Sequence, residues 1–214
     1  MGKKEVFKPR SYLHRVTEKK DPRKTFLIVC EGEKTEPLYF DAFELASVTV
    51  IGTGFNTHSL VDEAIRLKKH HPGKDEIWCV FDRDSFDARD IRKAIQKADK
   101  NNIRIAYSNE SFELWYLLHF NYMDTQLNRE AYIEKLTNQL GKPYSKNESL
   151  YRMLKNKQHT AILNSKKLLK TYTKVNPSAL KFGYRYPDLN PVSANPMTTV
   201  FELVEELLRA MNRK

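Results

Sequence analysis

Four short apolar runs recur along the first half of the chain, each followed by a segment of helical spacing. Thr25 to Cys30, Ser47 to Ile51, Glu76 to Phe81 and Ile103 to Tyr107 have strand length and are rich in β-branched and aromatic residues. After the first run, Leu38, Tyr39, Ala42 and Phe43 mark one side of a helix, with Thr35 as its cap and Pro37 in its first turn. Ser59 with Asp62 has the form of a capping box, opening a helix to about His70 that Pro72 and Gly73 stop. Ile91, Ala94, Ile95 and Ala98 mark a third helix that Asp87 can cap. This βαβαβαβ order predicts a Rossmann-like, four-stranded, mostly parallel sheet flanked by helices. Right-handed crossovers then place strands one and three side by side at the switch point.

From Ser111 onward the pattern predicts no strand. Phe112 to Phe120 is a strongly apolar helix, and helical spacing continues near 129–140, 148–156 and 159–173. A Pro-rich stretch from Asn176 to Pro196 is too long for an ordinary connection. The last helix is well specified: Thr199 and Glu202 match a capping box, and Val200, Leu203, Val204, Leu207, Leu208 and Met211 share one stripe. The expected organisation is a basic extension over 1–24, an α/β domain over 25–125, and a basic helical appendage over 126–214.

The composition, 40% hydrophobic and 30% charged over 214 residues, is that of an ordinary globular protein. No run approaches the 18 or so apolar residues of a membrane span. The first residues lack the apolar core of a secretory signal, so the cytoplasm is expected. Cys30 and Cys79 both fall inside predicted strands and read as small buried hydrophobes. Charge changes the picture more. The net +10 divides into +6 over residues 1–24, −5 over 25–141, +10 over 142–185 and −1 over the remainder. Basic flanks on both sides of an acidic segment suit a polyanion such as RNA or DNA, although a Lys-rich helix is also an ordinary solvated face. Arg185, Lys166, Lys167 and Arg152 are the candidate nucleic-acid contacts. Tyr144, Tyr151, Tyr172, Phe182, Tyr184 and Tyr186 either stack on unpaired bases or pack on helices.

The candidate chemistry lies where two of the strands end. Strand one runs into Glu31-Gly32-Glu33, and strand three into Asp82-Arg83-Asp84. Ligands of an open parallel sheet bind beyond the carboxyl ends of its strands. If these two strands are neighbours, four carboxylates converge there, and they repel one another unless a cation sits among them. An oxygen-only cluster suits Mg2+, with Mn2+ as an alternative, and so points to phosphoryl chemistry. Glu33 is placed to activate water and Lys34 to steady charge on phosphate oxygens, though either could equally form a surface ion pair. Glu113, just inside the helix after strand four, is either a further site carboxylate or a complement to the helix dipole. The histidines need no ligand role, and His119 reads as a core histidine. There is no Walker loop, no Cys/His metal spacing and no nucleophile elbow.

The run Cys30-Glu31-Gly32-Glu33-Lys34-Thr35-Glu36-Pro37-Leu38-Tyr39-Phe40 resembles the RloB-like family of bacterial defence proteins. Phe81-Asp82-Arg83-Asp84, the stretch from Ser108 to Phe120, and Asn195-Pro196-Met197-Thr198-Thr199-Val200 resemble it too. Glu110 departs from that pattern, since relatives often carry Pro there. The resemblance implies a Toprim-like nuclease domain in which Glu31 matches the Toprim glutamate and Asp82 and Asp84 its metal-binding pair. It also implies an ATPase partner and a role in abortive infection against phage, with self-association left open. The rivals are a non-catalytic module that binds nucleic acid or a partner, and a receiver-like switch phosphorylated on Asp82.

Overall fold

The computed structural model describes residues 24–83, 88–172 and 193–212. β1 (Phe26–Cys30), β2 (Val48–Gly52), β3 (Glu76–Asp82), β4 (Arg104–Asn109) and β5 (Met197–Thr198) form one sheet in the order β2-β1-β3-β4-β5. The first four strands are parallel, as their alternation with helices requires, and β5 is antiparallel to β4. β1 is an interior strand, with β2 on one side and β3 on the other, so the strand order reverses between β1 and β3. Every residue of β1 is buried, which explains why it reads as a continuous apolar run rather than an alternating one. Burying side chains such as Phe26, Leu27 and Ile28 contributes about 1.5–3 kcal/mol each.

The helices are α1 (Thr35–Asp41), α2 (Thr57–His70), α3 (Ala88–Lys100), α4 (Glu113–Leu118), α5 (Arg129–Leu140), α6 (Tyr151–Leu154), α7 (Gln158–Tyr172) and α8 (Val200–Asn212). α2 packs on α3, α4 on α5 and α7, and α8 on β4 and α7. One buried cluster runs from Phe26 to Leu207, so the C-terminal helices share a core with the sheet. Both cysteines are free and buried. Among the described residues, no helix is long and apolar enough to cross a membrane.

Three local expectations are corrected. The sheet has five strands rather than four, because Met197 and Thr198 pair with Asn109 and Ser108. Two residues are too few to show a period, and their partner lies far away in sequence. The Thr199–Glu202 capping box does not form. Thr199 Oγ1 instead accepts from Tyr107 N at 3.0 Å, tying α8 to β4, and the Glu202 carboxylate turns to Arg104. Likewise α2 opens earlier than Ser59: Asn56 is its cap and accepts from Ser59 N at 3.2 Å, while Asp62 pairs with Lys97. Asp87 and most of the Pro-rich stretch lie outside the described residues.

Candidate functional site

The register of the sheet brings the two acidic turns together. Cys30 lies opposite Val80, so β1 ends level with the last residues of β3. Glu31 N then donates to Val80 O at 2.9 Å, and Glu31 Oε2 accepts from Asp82 N at 3.2 Å. The next turn depends on Gly32: a Cβ there would lie 2.3 Å from Glu36 Oε2. Glycine therefore lets the Glu36 carboxylate fold back from the first turn of α1 over the Glu31 turn. Gly54, with φ +67, closes the other side; a Cβ on it would approach Glu33 Oε1 to 3.0 Å.

These turns open a cavity of about 510 Å³ beyond the carboxyl ends of β1 and β3. Glu31, Glu36, Asp82 and Glu113 line it together with Arg129 and Lys146. Glu36 and Glu113 are buried, and Asp82 is nearly so. Asp82 Oδ2 accepts from Arg129 Nη2 at 2.8 Å, whereas its Oδ1 is buried with no hydrogen-bond partner among the described residues. Burial raises the Asp82 carboxyl well above the ordinary range; Glu36, Glu113 and Glu31 add repulsion, and Arg129 offsets only part of this. Burial likewise pushes Glu36 up. Its own backbone N–H, Lys146 and the Gly32 N–H hold it down in part, while Glu113 adds to the rise. Tyr144, half-buried beside the site, has its phenol raised by burial and then by Glu113. The pocket thus holds more negative charge than its fixed cations neutralise.

The expected residues separate into groups. Glu31, Glu33, Lys34, Asp82 and Glu113 all line the cavity, with Glu33 and Lys34 exposed at its mouth and Glu113 in its wall. Asp84 and Arg185 lie outside the described residues. Lys166 pairs with Glu205 at 2.6 Å, Lys167 sits 3.6 Å from the Tyr122 ring centre, and exposed Arg152 is 3.7 Å from Glu44 Oε1. None of these three lines the cavity. His119 is a core histidine: its Nδ1 lies 2.9 Å from Trp115 O, and burial pushes its pKa down to about 4.

Sequence reasoning missed Glu36, Arg129 and Lys146. Glu36 carried a readable signal, because Tyr39 and Phe40 lie three and four residues on and are buried, so Glu36 shares the inward side of α1. Arg129 and Lys146 carried none, since they reach the pocket from a distant segment.

The acidic residues offer oxygen atoms only, and Asp82 Oδ1 has no hydrogen-bond partner among the described residues. Among the described residues, no group of three or more acidic, His or Cys side chains is arranged to hold an ion. Mg2+ needs only one or two protein carboxylates, with water and phosphate oxygens completing its shell. The residues fit that ion.

Comparison with known proteins adds the family. A family model described as RloB-like protein matches residues 26–207. No match was found among curated proteins or solved structures. The match covers most of the chain, and the protein belongs to the RloB-like family.

Proposed function

We propose that this RloB-like protein is a Mg2+-dependent phosphodiesterase of Toprim type that cleaves RNA or DNA, working with an ATPase partner in cytoplasmic defence against phage. One observation carries the reading: carboxylates from the β1–α1 turn, α1, β3 and α4 line one cavity, and Asp82 Oδ1 is buried there with no hydrogen-bond partner among the described residues. Burying that much uncompensated charge costs stability, and a cation with a bound phosphate would remove the cost. Glu31 and Asp82 would hold Mg2+, with Asp84 beyond the described residues, and the ion would supply charge stabilisation to the phosphate oxygens.

The chain's own side chains have distinct tasks around that centre. Arg129 fixes one oxygen of Asp82, leaving the other aimed at the ligand. Lys34 and Lys146 meet the strand's phosphates at the mouth and help to hold the backbone in line. Glu33, exposed and beside the cavity, accepts the proton of an attacking water. Glu36 and Glu113 close the inner wall, where their carboxylates orient water and keep the site selective for cations. The basic flanks supply sequence-independent attraction for the polyanion.

The test is cleavage of labelled RNA and DNA by the purified chain, alone and with its ATPase partner, in Mg2+ and in EDTA. Glu31→Ala should lower the Mg2+-dependent rate by at least about a hundredfold while leaving the fold intact. Unchanged cleavage by that variant rules out this mechanism. Binding of Mg2+ and nucleic acid without any turnover, with the partner present, would favour the non-catalytic alternative.

A further inference from the structure

Aromatic side chains elsewhere in the described structure are packed away. Of the basic-flank tyrosines that could either stack on bases or pack, Tyr144 is half-buried against Tyr116, Tyr151 is buried on Phe43, and Tyr172 is half-buried against the core. The large apolar side chains left exposed are Leu38, Phe55, Met153 and Leu163, and Phe55 is the aromatic among them, 45% exposed. Isolated exposed apolar residues are common, so position decides what this one means.

Phe55 directly follows Gly54, a residue of the cavity wall, in the connection between β2 and α2. That connection is tied down. Thr53 N and Thr53 Oγ1 each donate to Cys30 O at 3.0 Å, Gly54 N donates to Glu31 O at 2.9 Å, and Phe55 N donates to Thr53 Oγ1 at 3.2 Å. Asn56 then caps α2. The backbone carrying the Phe55 ring is thus anchored to the turn that carries Glu31 and Glu33. Exposed Lys34 and Lys146 stand at the same opening. A ring on a tied-down loop next in sequence to the cavity wall, and cations lining the same cavity, are together ingredients of single-strand recognition.

We propose that Phe55 is the stacking platform for an unpaired base next to the phosphate in the cavity, so that the substrate class is single-stranded or looped nucleic acid rather than duplex. This rests on the phosphodiesterase reading of the cavity and narrows it. Bases inside a duplex are stacked on one another and present no free face to the ring. Lys34 and Lys146 hold backbone phosphates while Phe55 takes the neighbouring base.

Affinity of the full-length protein for a fluorescent single-stranded oligonucleotide and for the matched duplex tests this, with Ca2+ replacing Mg2+ so that the strand is held and not cut. Phe55→Ala should weaken single-strand binding about tenfold and leave duplex binding unchanged. Phe55→Trp should retain affinity, and its fluorescence should be quenched when the strand binds. Equal single-strand affinity of wild type and Phe55→Ala, no preference for single strand over duplex, or no nucleic-acid binding by the wild type would each overturn the proposal. The two readings fail separately. Stacking with no cleavage in Mg2+ removes the phosphodiesterase and keeps the platform, whereas Mg2+-dependent cleavage unaffected by Phe55→Ala does the reverse.

Discussion

The two ends of the sheet bury the same kinds of side chain and treat them in opposite ways. At the amino-terminal ends of the strands, Glu76, Glu202 and Glu206 meet Lys24, Arg104 and Arg209. Arg104 reaches Glu76 at 3.1 Å, Glu202 at 3.4 Å and Glu206 at 3.5 Å, and stacks 3.9 Å above the Trp78 ring. Burial there works to raise the Glu206 carboxyl, but Lys24, Arg104 and Arg209 outweigh it and the group ends below its ordinary range. At the carboxyl-terminal ends, Asp82 and Glu36 move up instead, first because burial desolvates them and then because neighbouring carboxylates repel them, with Arg129 and Lys146 offsetting only part. Burial is deeper at Asp82 and Glu36 than at Glu206, and fewer cations offset it there. One end is laced by ion pairs; the other, among the described residues, gathers more carboxylates than cations.

Breaking the balanced end should have the largest effect. Arg104→Met removes the cation that Glu76, Glu202 and Glu206 share, leaving Lys24 and Arg209 to offset only part, and should cost about 3 kcal/mol in urea unfolding, while Mg2+ titration of the still-folded protein stays unchanged. Equal loss of stability and of Mg2+ binding would mean that the two ends are coupled.

The acid limb of stability sharpens the contrast. His119 has its folded pKa pushed down to about 4, so its contribution is full above its unfolded value near 6.5 and is lost as the pH falls towards 4. Relative to His119→Gln, the wild type should lose on the order of 3 kcal/mol across that window. Glu36 and Asp82 act with the opposite sign: their raised values mean that repulsion present at neutral pH is relieved by acidification. Denaturant curves of both proteins at several pH values separate these terms.

The smallest expected change runs the other way. Glu36→Gln removes one uncompensated charge and should stabilise the Mg2+-free protein by about 1 kcal/mol, as site residues often do when neutralised. The same variant should show a smaller Mg2+-induced rise in Tm than the wild type. A loss of stability would place Glu36 with the structural acids.

The acidic turns were legible because their information is local: an apolar run, a carboxylate, and a strand order that forces neighbours together. Glu36 was legible in principle, on the same side of α1 as Tyr39 and Phe40. Arg129, Lys146 and β5 were not, because nothing within a window of ten residues marks a partner about fifty or ninety residues away. At Thr199 a correct local pattern lost to tertiary competition, since the Tyr107 amide took the hydroxyl that the cap needed. Of the basic-flank aromatics, Tyr144, Tyr151 and Tyr172 took the packing alternative, while Phe182, Tyr184 and Tyr186 lie outside the described residues. Spacing cannot tell a ring that packs on a helix from one left in solvent, and the exposed ring stands at Phe55.

The antiparallel pairing of Met197 and Thr198 with β4 has a bearing on how the protein is made. The ribosome releases β4 about ninety residues before the segment that borders it, so the nascent sheet waits with an open edge until residues 197 and 198 have emerged. Ribosome-arrested chains stopped before 197 should be readily digested by protease, and chains extended well past 212 should resist it. Until that segment emerges, the unpaired edge of β4 is a template on which a strand of another chain could pair.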